Sequence, residues 1–112
     1  MGKIRKMDEE MMEGLSKVGK NMPSLGKFFE FSQEASKDGS ISAVQKELIA
    51  IAIGIYARCE YCIVFHVKAA LKIGATPDQI REAAGIAVLM GGGPSMAYAV
   101  TIMEQSLEAF GQ

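Results

Sequence analysis

Apolar residues at Met7, Met11, Leu15, Val18 and Met22 recur every three or four positions and predict an amphipathic first helix. Acidic Asp8, Glu9 and Glu10 suit the positive end of its dipole and are expected to mark its start, and Gly19 to Pro23 its end. A second helix is predicted from Pro23-Ser24 through Leu25, Phe28, Phe29 and Phe31 to the turn at Lys37-Asp38-Gly39, with its aromatic face in the core. Ser42 can cap a third, in which Leu48, Ile49, Ile51, Ile53 and Ile55 leave little polar surface, so this helix is expected at the centre. The isoleucines at alternate positions also fit a strand, but the alanines between them and the helical pattern that follows favour a helix.

A fourth helix runs from Glu60 through Val64, Val67, Ala70, Leu71 and Ile73 to Gly74, a residue suited to a left-handed stop. Thr76-Pro77-Asp78-Gln79 then combines an N-cap, a proline at the first helical position and the glutamine of a capping box. This fifth helix, with Ile80, Ala83, Ala84, Ala87, Val88 and Met90, ends at Gly91-Gly92-Gly93. Pro94 opens a sixth that carries Ala97, Val100, Ile102, Met103 and Leu107 to Phe110. The pattern predicts an all-α, compact bundle of about six helices in a single domain, 1–112, with N-terminal helices in 1–40 and the core in 41–112.

Composition narrows the function classes. Hydrophobic residues make up 49% of the 112, more than a monomer of this size readily buries, so a homo-oligomer is expected. Twelve basic against 13 acidic residues, without a basic run, argue against nucleic acid as a partner. The apolar run Leu48 to Tyr56 is far shorter than the roughly 20 residues of a spanning helix, and Gly2 to Lys6 leads into an acidic stretch with no signal-peptide pattern. No membrane partner and a cytoplasmic location are therefore expected.

The only two cysteines, Cys59 and Cys62, are too close in sequence to staple distant segments, and their spacing points to redox chemistry or metal binding. On a helix, Cys59, Cys62 and His66, the only histidine, fall within about 60° of arc, so both sulfurs and the imidazole face one side. A helix N-terminus lowers the pKa of a thiol and favours Cys59, whereas the step from Cys62 to His66 offers Cys62 a base. Cys62 is preferred as nucleophile because a base acts in every turnover, with Cys59 resolving. Glu47, a helix earlier, can orient His66 or relay its proton, or it can be a surface charge at a helix start. Zinc would need a fourth ligand beyond Cys59, Cys62 and His66, from Glu47 or another subunit. Two inert core cysteines are the remaining alternative. Tyr61 and Phe65 point off the cysteine face and read as packing residues.

Glu47, then Cys59-Glu60-Tyr61-Cys62-Ile63-Val64-Phe65-His66, then Gly74 to Ala83 and the Gly91-Gly92-Gly93 break, together resemble the alkyl hydroperoxidase D-like (AhpD-like) branch of the carboxymuconolactone decarboxylase family, over Ile41 to Thr101. The resemblance implies an all-α fold assembled as a trimer or hexamer, with Cys62 attacking, Cys59 resolving, and Glu47 and His66 as the proton relay. It implies a thiol-dependent peroxidase or disulfide oxidoreductase of antioxidant type. The substrate would be a peroxide or disulfide, an external dithiol, such as one borne by a donor protein, would be the reductant, and no cofactor or metal would be needed. The family's lactone decarboxylases generally lack the cysteine pair, so lactone decarboxylation is disfavoured here.

Overall fold

A computed structural model describes residues 2–111. They form α1 (Gly2–Asn21), α2 (Leu25–Ala35), α3 (Ala43–Tyr56), α4 (Glu60–Lys72), α5 (Pro77–Gly91), α6 (Gly93–Tyr98), a π-helical stretch (Ala99–Met103) and α7 (Glu104–Phe110). No strand occurs among the described residues. The expected sixth helix is the run from α6 to α7, with the wider π turn in its middle. There the hydroxyls of Thr101 and Ser106 donate to the carbonyls of Ala97 and Ile102, at 2.6 and 2.7 Å.

Both expected capping boxes are present. Ser42 Oγ accepts from the Gln45 amide at 3.1 Å and Gln45 Oε1 accepts from the Ser42 amide at 3.2 Å; Thr76 and Gln79 repeat the exchange at 3.1 and 2.9 Å. Each cap satisfies amides that the helix cannot pair itself and is worth about 1 kcal/mol. α3 lies between α4 and α5, the central position its composition predicts. Ile51 and Ile55 of α3 meet Ile63, Val64 and Val67 of α4 and Ile80 of α5 in the core, all at most 1% exposed. Each such side chain contributes roughly 1.5–3 kcal/mol through burial. Ile49 and Ile53 point the other way and remain 46% and 61% exposed.

The N-terminal part departs from expectation in two ways. α1 begins at Gly2, so Asp8, Glu9 and Glu10 lie within the helix. Ile4 extends the apolar stripe by a turn and is fully buried with Met7. This end is fastened by an ion pair from Lys68 to Asp8 at 2.6 Å, by a hydrogen bond from the Arg5 guanidinium to the Ala109 carbonyl, and by the Phe110 ring, which has Arg5 and Lys68 at 5.5 and 5.6 Å from its centre. α2, whose aromatic face was expected in the core, contributes no buried residue, and Phe28 and Phe31 are 61% and 67% exposed. It packs mainly on α1, away from the α3–α4–α5 core, and Phe28 and Phe31 are left uncovered among the described residues.

Candidate functional site

α3 and α4 approach closely at Gly54, where an added Cβ would stand 3.3 Å from Cys62 Cβ and 3.6 Å from Ile63 Cγ1. Any side chain larger than a methyl there would separate the helices at the point where the first turn of α4 begins after Cys59 and carries Cys62. α3 stops at Tyr56, three residues before Cys59, through a Schellman motif. The Cys59 amide donates to the Gly54 carbonyl at 2.9 Å and the Arg58 amide to that of Ile55 at 3.0 Å. This places Arg58 in the left-handed region at φ 57°, the sole non-glycine there among the described residues. α4 ends in the same motif, with Ala75 on Ala70 at 2.9 Å and Gly74 on Leu71 at 3.2 Å, but uses glycine, Gly74, at φ 104°. An L-residue in that position costs about 1–3 kcal/mol.

The tight turn brings Cys59 to the N-cap of α4, where its Sγ accepts from the Cys62 amide at 3.2 Å. The two sulfurs are joined in a disulfide across a Cα separation of 5.2 Å, inside the ordinary range for such bonds. One turn further along α4, His66 Nδ1 is 2.7 Å from Glu47 Oε1 of α3. The carboxylate can only accept, so Nδ1–H donates, which leaves Nε2 of the neutral ring as the unprotonated nitrogen. Glu47 is 12% and His66 29% exposed, so the pair is shielded but reachable. The Phe65 ring meets the imidazole edge-on at 5.1 Å and helps fix its plane.

The structure therefore brings Glu47 against His66 and Cys59 against Cys62, with His66 one turn beyond Cys62 on the same helix. Among the described residues, no cluster of three or more His, Cys, Asp or Glu side chains is arranged to hold a metal ion. Chemically, the arrangement offers a dithiol at a helix start, where a thiolate is favoured, and an imidazole whose tautomer is set by a carboxylate.

Residues 24–105 match the model of the carboxymuconolactone decarboxylase family. The chain belongs to that family. An uncharacterised protein of Cupriavidus necator is 34% identical over 101 residues, which cover 83% of this chain and 89% of the relative. Among solved structures, a carboxymuconolactone decarboxylase family protein from Legionella pneumophila superposes with a TM-score of 0.94 at 37% identity, with full coverage of both chains. A second family member, from Thermotoga maritima and suggested to be involved in antioxidative response, gives 0.75 at 28% identity over 95% of each chain.

Residue patterns did not single out Gly54 or Arg58. Gly54 is a glycine inside an apolar helix, a recognisable sign of close approach, but the residues it meets, Cys62 and Ile63, lie on the next helix, and spacing does not say how the two helices pack. For Arg58 the signal is negative: the chain reverses between α3 and α4, and Tyr56-Ala57-Arg58-Cys59 supplies no glycine for the turn.

Proposed function

We propose that the chain is a thiol-dependent peroxidase and disulfide oxidoreductase of antioxidant type. The observation that carries this reading is a bonded cysteine pair at a helix N-terminus, one turn before a histidine held by a carboxylate. The suggested antioxidative role of the Thermotoga relative supports it.

In the oxidative half, His66 takes the Cys62 proton and the thiolate attacks the terminal oxygen of a hydroperoxide. The O–O bond breaks, Cys62 becomes a sulfenic acid, and the departing alkoxide takes a proton to leave as alcohol. Cys59 then displaces hydroxide from the sulfenic acid, which leaves as water with the Cys59 proton, and the disulfide forms. In the reductive half, an external dithiol attacks Cys62 Sγ and Cys59 departs as a thiolate. Cys59 is suited to that departure, because the Cys62 amide already donates to its sulfur. The donor's second thiol then releases Cys62 and closes the donor's own disulfide. Peroxide and dithiol are consumed, and alcohol, water and the donor disulfide are produced.

This cycle needs no cofactor or metal, and a reducing compartment such as the cytoplasm would supply the dithiol. Described helices include none long and apolar enough to cross a membrane. The uncovered aromatic face of α2, with Phe28 and Phe31, is the surface we assign to contacts between copies in a trimer or hexamer. The test is turnover of an organic hydroperoxide with a dithiol donor. Cys62→Ser is expected to abolish it, and Cys59→Ser to stop after one equivalent with a trappable sulfenic acid. Wild-type turnover in Cys62→Ser would overturn the reading.

A further inference from the structure

Beside the turn that delivers Cys59 lies a cleft of about 240 Å³ lined by Tyr56, Arg58, Met90, Gly91, Pro94 and Ser95. Its floor depends on the absence of a side chain at Gly91, because a Cβ there would collide with Ser95 Oγ and stand 3.0 Å from Tyr56 Cδ1. Tyr56 and Met90 also wall a second groove of about 280 Å³, whose other lining residues, Ala52, Ile53, Ile86 and Ala87, are all apolar. The two cavities thus share two lining residues, one cavity otherwise apolar and the other lined in part by Arg58. Arg58 has neither an ion pair nor a side-chain hydrogen bond to any described residue. It also occupies the left-handed position that α4 fills with Gly74. The turn alone would be better served by glycine, so the strain is accounted for by what the side chain does.

We propose that this composite cleft binds an aliphatic carboxylate, the carboxylate on the Arg58 guanidinium and the alkyl chain along Ile53, Ile86 and Met90. A planar guanidinium matches a carboxylate through paired N–H donors, and the apolar groove rewards a tail that lacks polar groups. On the peroxidase reading, on which only this catalytic consequence rests, carboxylate-bearing hydroperoxides become the favoured substrates, anchored at the residue before Cys59.

Calorimetric binding of decanoate to the oxidised protein, with decanol and decyltrimethylammonium as tail-matched probes, reads the site without turnover. Decanoate is expected to bind about tenfold or more tightly than either probe. Arg58→Gln is expected to bring it down to the level of decanol. Arg58→Gly should do the same while melting at or above the wild-type temperature, which separates loss of the anchor from loss of the fold. Equal affinity for the three probes, undiminished decanoate binding in Arg58→Gln, or no binding because a second copy covers the groove would each overturn the proposal. In turnover, a fatty-acid hydroperoxide is expected to show a lower KM than its methyl ester, and Arg58→Gln to erase the difference. If decanoate binds as described while no hydroperoxide is reduced, the peroxidase reading falls and the binding site stands.

Discussion

Replacement of Gly54 tests whether the close approach of α3 and α4 is what sets the cysteine pair in place. Alanine at this helix-interior position gains about 1 kcal/mol of helix propensity over glycine. Its methyl would stand 3.3 Å from Cys62 Cβ, slightly inside the optimal carbon separation of roughly 3.5–4.0 Å. A shift of α4 by a few tenths of an ångström, at a cost of similar size, absorbs it, so Gly54→Ala is expected to be close to neutral. Gly54→Leu cannot be absorbed in this way, since Cys62 and Ile63 already occupy the space. Overpacking of this kind costs roughly 2–3 kcal/mol, or about 8–12 °C in melting temperature for a domain of this size. Thermal and urea unfolding of both variants, each in its dithiol and disulfide forms, checks the stabilities, and thiol loss after peroxide addition checks the site. Gly54→Leu should also close its disulfide more slowly. A Gly54→Leu protein with wild-type melting temperature and closure rate would refute the packing argument.

Two further predictions concern charge. Glu47→Gln keeps a hydrogen-bonding partner for His66 but removes the negative charge, and stopped-flow oxidation by peroxide is expected to slow by about tenfold to a hundredfold with little change in melting temperature. An unchanged rate would reassign Glu47 to a structural role. Between α5 and α7, the hydrogen bond and charge of Arg81, at 2.8 Å, hold the Glu104 carboxyl below its ordinary value against a smaller opposing effect of burial. A depressed carboxylate pKa means that the unfolded chain binds the proton more tightly. The stabilisation is therefore complete above the ordinary glutamate value of 4.5 and is lost as pH falls through the lower folded value. Melting temperatures recorded between about pH 6 and pH 3 should fall less steeply in Glu104→Gln than in wild type, and identical slopes would show the pair to be inert.

Much of this fold was legible because its signals are local. The capping boxes at Ser42 and Thr76 and the glycine stop at Gly74 depend on residues within a turn of one another, and each appears where the sequence places it. The start of α1 was misplaced because three acidic residues resemble a helix start, while the cause of the earlier start, burial of Ile4 by other helices, is not local. The exposure of Phe28 and Phe31 likewise depends on where α2 docks, which apolar content cannot specify. At the site, the four-residue step from Cys62 to His66 on α4 could be read directly, whereas Cys59, expected on the same helical arc, is the extended N-cap residue just outside it. The contact between Glu47 and His66 joins two helices, and residue spacing alone left Glu47 open to a surface role; the family resemblance was what singled it out. The left-handed turn at Arg58 is set by hydrogen bonds to Gly54 and Ile55 and leaves no mark in the sequence beyond a missing glycine.

In the proposed cycle the paired sulfurs trade electrons as a unit while the protein turns over. Intact-mass measurement of the fully reduced chain after one equivalent of hydrogen peroxide, followed by thiol alkylation, tests it most directly. One dominant product is expected, lighter than the dithiol by two hydrogens and inert to alkylation, that returns to the dithiol mass on addition of an external dithiol. A chain that keeps both alkylatable thiols, or that gains oxygen on one sulfur while the other stays free, would contradict it.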